Sequence, residues 1–306
     1  MERPERLDEL AQRAGVARLP SGKVRERFAV PGGKLLLVTT DRISAFDVVL
    51  PTPIPDRGTV LTALTELWLR GPLADETPHH LVTTDPASCP QPVPAFAEDL
   101  AGRTMLCRVA DMLPVECIAR GFLAGSAWRE YQVQGTVGGQ RLRDGLALGE
   151  ALDPPLFTPT TKAQSGHDEP VTFDEVVAMV GGAVAEELRA RTLRLYAVAA
   201  AHAAERGLLL ADTKFEFGWI DGELALCDEV GTCDSSRYWP AEGHTPGAAP
   251  DSYDKQIVRD WLESSGWDKA PPAPELPDEV VQRTRERYIE VYERLADRPF
   301  LPGGDR

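Results

Sequence analysis

The sequence predicts a protein of mixed strands and helices, α+β or α/β, on three observations. The run GKVRERFAV, then PGG, then KLLLVTT reads as two strands joined by a tight glycine turn. Residues 172–206 carry apolar spacing of helical period over far more than a strand's length. LLLADT and FEFGWI, a turn at Asp221 and Gly222, and ELALCDEV together make a β-hairpin pattern.

The other elements follow in chain order. Residues 5–17 (ERLDELAQRAGVA) have the apolar spacing of a short amphipathic helix. DRISAFDVVLPTPIPDRG reads as strand and loop, because prolines at 51, 53 and 55 forbid a helix. Residues 59–70 return to helical spacing, and RTMLCRVADMLPVECIARG reads as two apolar strands broken at residues 111–114. Residues 150–170 (EALDPPLFTPTTKAQSGHDEP) predict a long Pro/Thr-rich loop, of a length that marks functional or disordered segments. Thr172 and Glu175 form a capping-box pattern that opens the long helix. That helix is interrupted near Gly181 and Gly182 and stopped by Gly207. Helices near 252–263 and 278–296 flank the Pro-rich APPAPELPDE.

Composition bounds the function. The 306 residues suffice for one large domain or two lobes, and 42% apolar content supports a core. A formal net charge of -15, from 48 acidic against 33 basic residues, argues against nucleic-acid or anionic-membrane partners. An anionic substrate must therefore meet a local cluster of Lys and Arg. The five cysteines include no C-x-x-C pair and no His at zinc spacing. MERPERLDEL lacks an apolar signal segment, and no apolar run reaches the length of a membrane span. The expectation is a soluble, cytoplasmic protein with reduced thiols.

The sharpest local signal is ADTKFEFG. On a strand, Asp212, Lys214 and Glu216 share one face, and three ionisable groups there, if buried, must pair or hold a metal or phosphate. A solvated outer face is the plainer alternative, and the preceding LLL, which brings the strand in from the core, argues against it. Asp228 and Glu229 follow on the partner strand, where a carboxylate pair can hold Mg²⁺ against nucleotide phosphates. With a two-residue turn Asp228 falls opposite Phe215, so pairing it with Glu216 requires a longer turn or a bulge. In SGKVR, Gly22 permits close approach to a phosphate, and Lys23 and Arg25 alternate onto one strand face; an exposed basic edge is the plainer alternative. ECIARGFLAGSAW gathers Arg120, flexible glycines and Ser126, and CDSSRYWP gathers Asp234, Ser235, Ser236 and Arg237. Each is a phosphate or carboxylate cradle or ordinary turn chemistry. Lys162, His167 and Asp168 lie in the long loop, and no G-x-S-x-G element anchors a hydrolase triad.

Taken together and in order, GKVRERF, TTDRISAFDVVLPTPIPDRGTVLT, VECIARGFLAGSAWREY, PPLFTPTTKAQSGHDE, LLLADTKFEFG, DEVGTCDSSRYWP and SYDKQIVRDWL resemble the phosphoribosylaminoimidazole-succinocarboxamide synthase (SAICAR synthetase) family, from about residue 20 to about residue 263. The resemblance implies an α+β fold similar to the ATP-grasp and kinase-like group. An antiparallel-sheet lobe (1–112) would cover ATP, and a larger α/β lobe (113–306) would complete one catalytic unit across a cleft. It implies an ATP-dependent ligase of de novo purine biosynthesis, joining the carboxylate of carboxyaminoimidazole ribonucleotide to the amine of L-aspartate. ATP and Mg²⁺ are the implied cofactors and the partners are small molecules, with a homo-oligomer left open.

By the same resemblance, Gly22, Lys23 and Arg25 serve the nucleotide phosphates, Lys162 reaches them from the long loop, and the Met112 backbone meets adenine at a hinge. Glu216 and Asp228 are the implied Mg²⁺ ligands. Lys214, Arg120, Arg237 and Asp212 hold and activate the imidazole ribonucleotide with Ser126, Asp234 and Ser236. Asp41, Arg42 and Ser44 help place aspartate, and His167 with Asp168 is a candidate base for its amine. RERF stands where the family usually has an RDIY-like ending, and Cys233 where it has proline. The rivals are a small-molecule kinase, a ligase of different acid or amine specificity, and a non-catalytic nucleotide-binding module.

Overall fold

The computed structural model describes residues 4–162 and 168–302. In chain order the elements are α1 (Pro4–Ala11), β1 (Ala17–Leu19), β2 (Arg25–Val30), β3 (Lys34–Thr39), β4 (Ser44–Ala45), β5 (Val48–Val49), α2 (Arg57–Arg70), β6 (Leu81–Thr83), α3 (Ala97–Leu100) and β7 (Thr104–Arg108). They continue with β8 (Asp111–Phe122), α4 (Gly125–Gln134), β9 (Thr136–Val137), β10 (Gln140–Arg141), β11 (Ala151–Phe157), β12 (Thr160–Thr161), α5 (Phe173–Val180), α6 (Gly182–Ala204), β13 (Leu208–Ile220), β14 (Glu223–Cys227), β15 (Ser236–Pro240), α7 (Gln256–Ser264) and α8 (Asp278–Ala296). Helices and antiparallel sheets mix as an α+β fold requires. Among the described residues no helix is long and apolar enough to cross a membrane.

Two compact units emerge. The first comprises residues 1–69, 80–110 and 253–306. Its sheet runs β1-β2-β3-β7-β6, antiparallel throughout. Strand alternation puts Phe28 and Val30 inward and Arg27 outward, and α1 caps that core through Leu7 and Leu10. The sequence grouped residues 253–306 with the larger lobe; here they pack with the first unit. The reason is apolar: Val258, Leu262, Leu276 and Val281 bury themselves against Ile43, Leu50 and Ile54, partners more than 200 residues away in the chain. Arg285 adds a fork to Asp56 at 2.8 and 2.5 Å.

The second unit holds residues 70–79 and 111–252. Its sheet runs β11-β8-β13-β14, with β12 also on β8 and β15 on β13. The β13–β14 hairpin turns on Asp221 and Gly222, both at positive φ, as a two-residue primed turn demands. Helix α6 packs on β13 and β8. There the Tyr196 hydroxyl donates to the Leu210 carbonyl at 2.7 Å, and a Cβ at Gly121 would lie 1.7 Å from that hydroxyl oxygen. Only glycine fits at 121.

Three sequence expectations change, and the interruption expected in the long helix is found. The first helix ends at Ala11, and Gly15 at positive φ turns the chain into β1. The strand break falls at residues 109–110, and β8 runs unbroken through Pro114. Proline is tolerated there because the β13–β8 register shifts between the Glu216↔Glu116 and Gly218↔Met112 pairs. The predicted loop at 150–170 carries β11 and β12, both paired to β8, with Pro154 and Pro155 in the register shift between Ala151 and Leu156. The long helix divides at Gly181 into α5 and α6, and the capping box forms as expected: Thr172 Oγ1 accepts from the Glu175 amide at 3.3 Å, and Glu175 Oε2 from the Thr172 amide at 2.7 Å. All five cysteines are buried thiols.

Candidate active site

The polar face of the second unit's sheet is built by strand parity. Asp212, Lys214 and Glu216 alternate on β13, and the register sets Asp212 beside both Arg120 of β8 and Arg237 of β15, with Glu216 beside Glu116. Residues of opposite parity face away: Phe215 pairs with Cys117 and Thr213 with Ala119, all buried. Carboxylates at Asp212 and Glu216 are only 10% and 7% exposed, which is costly unless every charge finds a partner. They do. Lys162 reaches Glu216, Lys214 Nζ lies 2.6 Å from Glu116 Oε1 and 3.7 Å from Glu216 Oε1, and Thr160 Oγ1 donates to Glu116 Oε2 at 3.0 Å.

Carboxylates and ammonium groups act strongly on one another at the Glu216 end. Burial, then the Asp228 charge, push the Glu216 carboxyl above its ordinary range despite the opposing Lys162 and Lys214. Burial pulls the Lys214 ammonium down, but Glu116, Glu216 and Asp228 outweigh it and the group is held charged above its ordinary value. Neither the longer turn nor the bulge that would set Asp228 opposite Glu216 occurs. The two-residue turn stands, β14 ends at Cys227, and Asp228 turns off the strand at φ 58°. Its charge acts on both Glu216 and Lys214 from there. Asp/Asn-type side chains tolerate this left-handed backbone better than most residues.

At the other end, Asp212 Oδ2 accepts from Arg120 Nη1 at 3.2 Å and from Arg237. Arg120 also donates to Thr158 Oγ1 at 2.8 Å and Ser126 Oγ at 3.2 Å, the latter in the first turn of α4. Burial lowers the Arg120 pKa, and Asp212 compensates while Arg237 adds to the strain. Gly125 makes room: a Cβ there would stand 2.6–2.8 Å from the Arg237 guanidinium. Two guanidiniums, a hydroxyl and a helix start are groups whose chemistry suits a phosphate.

Some predicted residues lie elsewhere. Ser236 sits opposite Thr213 and shares a 2.8 Å hydroxyl contact with it, on the face away from Asp212. One step of strand parity separates it from Arg237. Asp234 lies in the turn before β15, its amide donating to Thr232 Oγ1 at 3.1 Å. Met112 is the second residue of β8, opposite Gly218 and 37% exposed. His167 lies outside the described residues.

In the first unit, Lys23 precedes β2 on a bend, so it does not alternate with Arg25 along a strand; Gly22 N donates to the Arg25 carbonyl at 2.9 Å, and Lys23 pairs with Asp47. Asp41 is buried as a cap, with Oδ1 accepting from the Gly58 amide at 2.9 Å in the first turn of α2. Arg42 Nη2 meets Glu26 Oε1 at 2.8 Å, and Ser44 pairs with Val49 in the β4–β5 hairpin. Sequence reasoning missed Glu116, Thr158 and Thr160. For Glu116 a signal was present, since it shares parity with Arg120 in ECIARG.

Among the described residues no three His, Cys, Asp or Glu side chains gather to hold a metal by themselves. The carboxylate pair Glu216 and Asp228 suits a hard cation that takes its other oxygens from phosphate and water.

The SAICAR synthetase family model matches residues 18–274. The phosphoribosylaminoimidazole-succinocarboxamide synthase of Thermobifida fusca (strain YX) is 53% identical over 287 residues, covering 92% of this chain and 91% of that protein. The enzyme of the same name from Salinispora tropica is 54% identical over 280 residues, covering 90% and 97%. The structure of the Saccharomyces cerevisiae SAICAR synthase complexed with SAICAR superposes with a TM-score of 0.83 at 36% identity, covering 94% of this chain and 97% of that one. On the extent of these matches and the shared fold, the chain belongs to the SAICAR synthetase family.

Proposed function

We propose that this chain joins carboxyaminoimidazole ribonucleotide to L-aspartate with ATP hydrolysis to ADP and phosphate, and that the polar face of the β8–β13–β15 sheet carries the reaction. The observation that supports it most is a pair of compensated charge networks on one sheet face, Lys162, Glu216, Lys214 and Glu116 at one end and Arg120, Asp212 and Arg237 at the other. It offers cations to two anionic substrates in a protein of net charge -15. The relatives' shared name and the SAICAR bound to the yeast enzyme support the same substrates.

A free carboxylate is a poor electrophile because its leaving group would be oxide. In the proposed sequence an oxygen of the imidazole carboxylate attacks the γ-phosphorus and ADP leaves, giving an acyl phosphate. The aspartate amine then attacks the acyl carbon, phosphate departs with the shared oxygen, and the nitrogen loses a proton. Phosphoryl transfer of this kind needs positioning and charge neutralisation rather than a side-chain nucleophile. Arg120, Arg237 and Ser126 grip the ribonucleotide phosphate, with Asp212 fixing the two guanidiniums. Lys214 orients the imidazole carboxylate, braced by Glu116. Lys162 serves the nucleotide phosphates on this face. In the first unit, taken by itself, the turn with Gly22, Lys23 and Arg25 has the groups to bind nucleotide phosphate. Mg²⁺, held by Glu216 and Asp228, would neutralise phosphate charge. Buried thiols and an acidic composition support a cytoplasmic setting.

The test is ADP release by the purified chain with ATP, Mg²⁺ and the imidazole ribonucleotide, with and without L-aspartate. Release is expected to depend on aspartate and to match succinocarboxamide product mole for mole. Release at the same rate without aspartate would make the chain a kinase and end the ligase reading.

A further inference from the structure

Strand β2 breaks its own pattern. Glu26, Phe28 and Val30 share its inward face, and Phe28 and Val30 join the apolar core, yet Glu26 puts a carboxylate there with only 3% of its side chain exposed. A buried carboxylate gains little net stability over an apolar residue of similar size, so its presence calls for another explanation. Its partners supply one. Glu26 Oε2 accepts from Arg18 Nε and Nη2 at 3.2 and 2.8 Å and from the Ser21 hydroxyl, while Oε1 meets Arg42 Nη2 at 2.8 Å. These groups come from β1, from the segment just before Gly22 and Lys23, and from the segment just after β3. Burial opposes ionisation of Glu26, but Ser21, Arg18 and Arg42 together hold it below its ordinary range.

The same two segments are joined by backbone. The Val24 carbonyl accepts from both the Thr40 amide at 3.0 Å and the Thr40 hydroxyl at 2.8 Å, and that hydroxyl accepts from the Arg42 amide at 3.3 Å. Gly22 closes on Arg25 at 2.9 Å. Residues 21–25 are thus pinned at their end by Thr40 and at their start by the Glu26 carboxylate.

We infer that Glu26 is a positioning residue for nucleotide binding: its buried carboxylate fixes Ser21 and Arg42 so that the 21–25 turn presents Lys23 and Arg25 to the ATP phosphates. The inference rests on the proposed role of that turn, and Lys23→Ala separates the two. Glu26→Gln keeps the shape and removes the charge, so the KM for ATP should rise about tenfold or more, while the KM for the imidazole ribonucleotide stays within about twofold. Glu26→Asp should recover part of the loss. Ser21→Ala, which removes one partner at an exposed position, should raise the ATP KM about threefold and covers the case in which Glu26→Gln fails to fold. An unchanged ATP KM in folded Glu26→Gln, or in Ser21→Ala if it alone folds, overturns the inference. So does an equal rise in both KM values. If Lys23→Ala also leaves the ATP KM unchanged, the phosphate-binding reading of the turn falls with it; if Lys23→Ala raises it, only the role of Glu26 fails.

Discussion

Glu216→Gln is expected to lower kcat by about a thousandfold or more while leaving the fold intact, a loss of roughly 4 kcal/mol in transition-state stabilisation. The amide has nearly the volume of the carboxyl, so the β13–β8 packing persists. Burial and the Asp228 charge already push Glu216 toward its neutral form, so replacing it with a neutral group gives up little folding energy. What disappears is the negative charge between Lys162 and Lys214, and with it half of the proposed Mg²⁺ carboxylate pair. Turnover at saturating substrates, measured across Mg²⁺ concentrations, checks this. Near-normal turnover at limiting Mg²⁺ would remove Glu216 from the metal site.

Asp212→Asn should act on stability as well as turnover. Its Oδ2 is shared by Arg120 and Arg237, and Arg120 is buried with its charge already disfavoured by that burial. Arginine does not shed its proton to escape, so two guanidiniums would face a neutral amide with half the accepting capacity. Breaking a buried ion pair by neutralising one member costs about 2–4 kcal/mol. The urea midpoint of the variant should fall accordingly, and ribonucleotide turnover should fall as the guanidiniums splay apart. An unchanged midpoint with unchanged kcat/KM would show that Asp212 neither fixes the pair nor shapes the cradle.

What the sequence made legible was local. The β2–β3 and β13–β14 hairpins announce themselves by alternation and turn chemistry, and the α5 capping box by two residues three apart. The charged face of β13 followed from parity alone. What escaped depends on through-space partners. β11 and β12 were read as loop because prolines mask strands, and only their pairing with β8 in a shifted register accommodates Pro154 and Pro155. The grouping of α7 and α8 with the first unit depends on Ile43, Leu50 and Ile54, which no local pattern connects to residue 258. Ser236 was grouped with Arg237 by adjacency, whereas a strand sends neighbours to opposite faces. Glu116 went unread in the sequence, since its contact with Lys214 and its place beside Glu216 come only from the strand register. Asp228 comes near Glu216 through a single left-handed residue, which the sequence allows and does not demand.

The division of labour along the polar face is tested most directly by titrating Lys214→Ala with each ligand separately, its fold first verified by circular dichroism. Removing a charged donor that faces one ligand and not the other should weaken the imidazole ribonucleotide by about thirtyfold or more and shift the affinity for Mg²⁺-bound nucleotide by less than about threefold. Equal losses for both ligands, or a loss confined to the nucleotide, would contradict the placement of the ribonucleotide on this sheet.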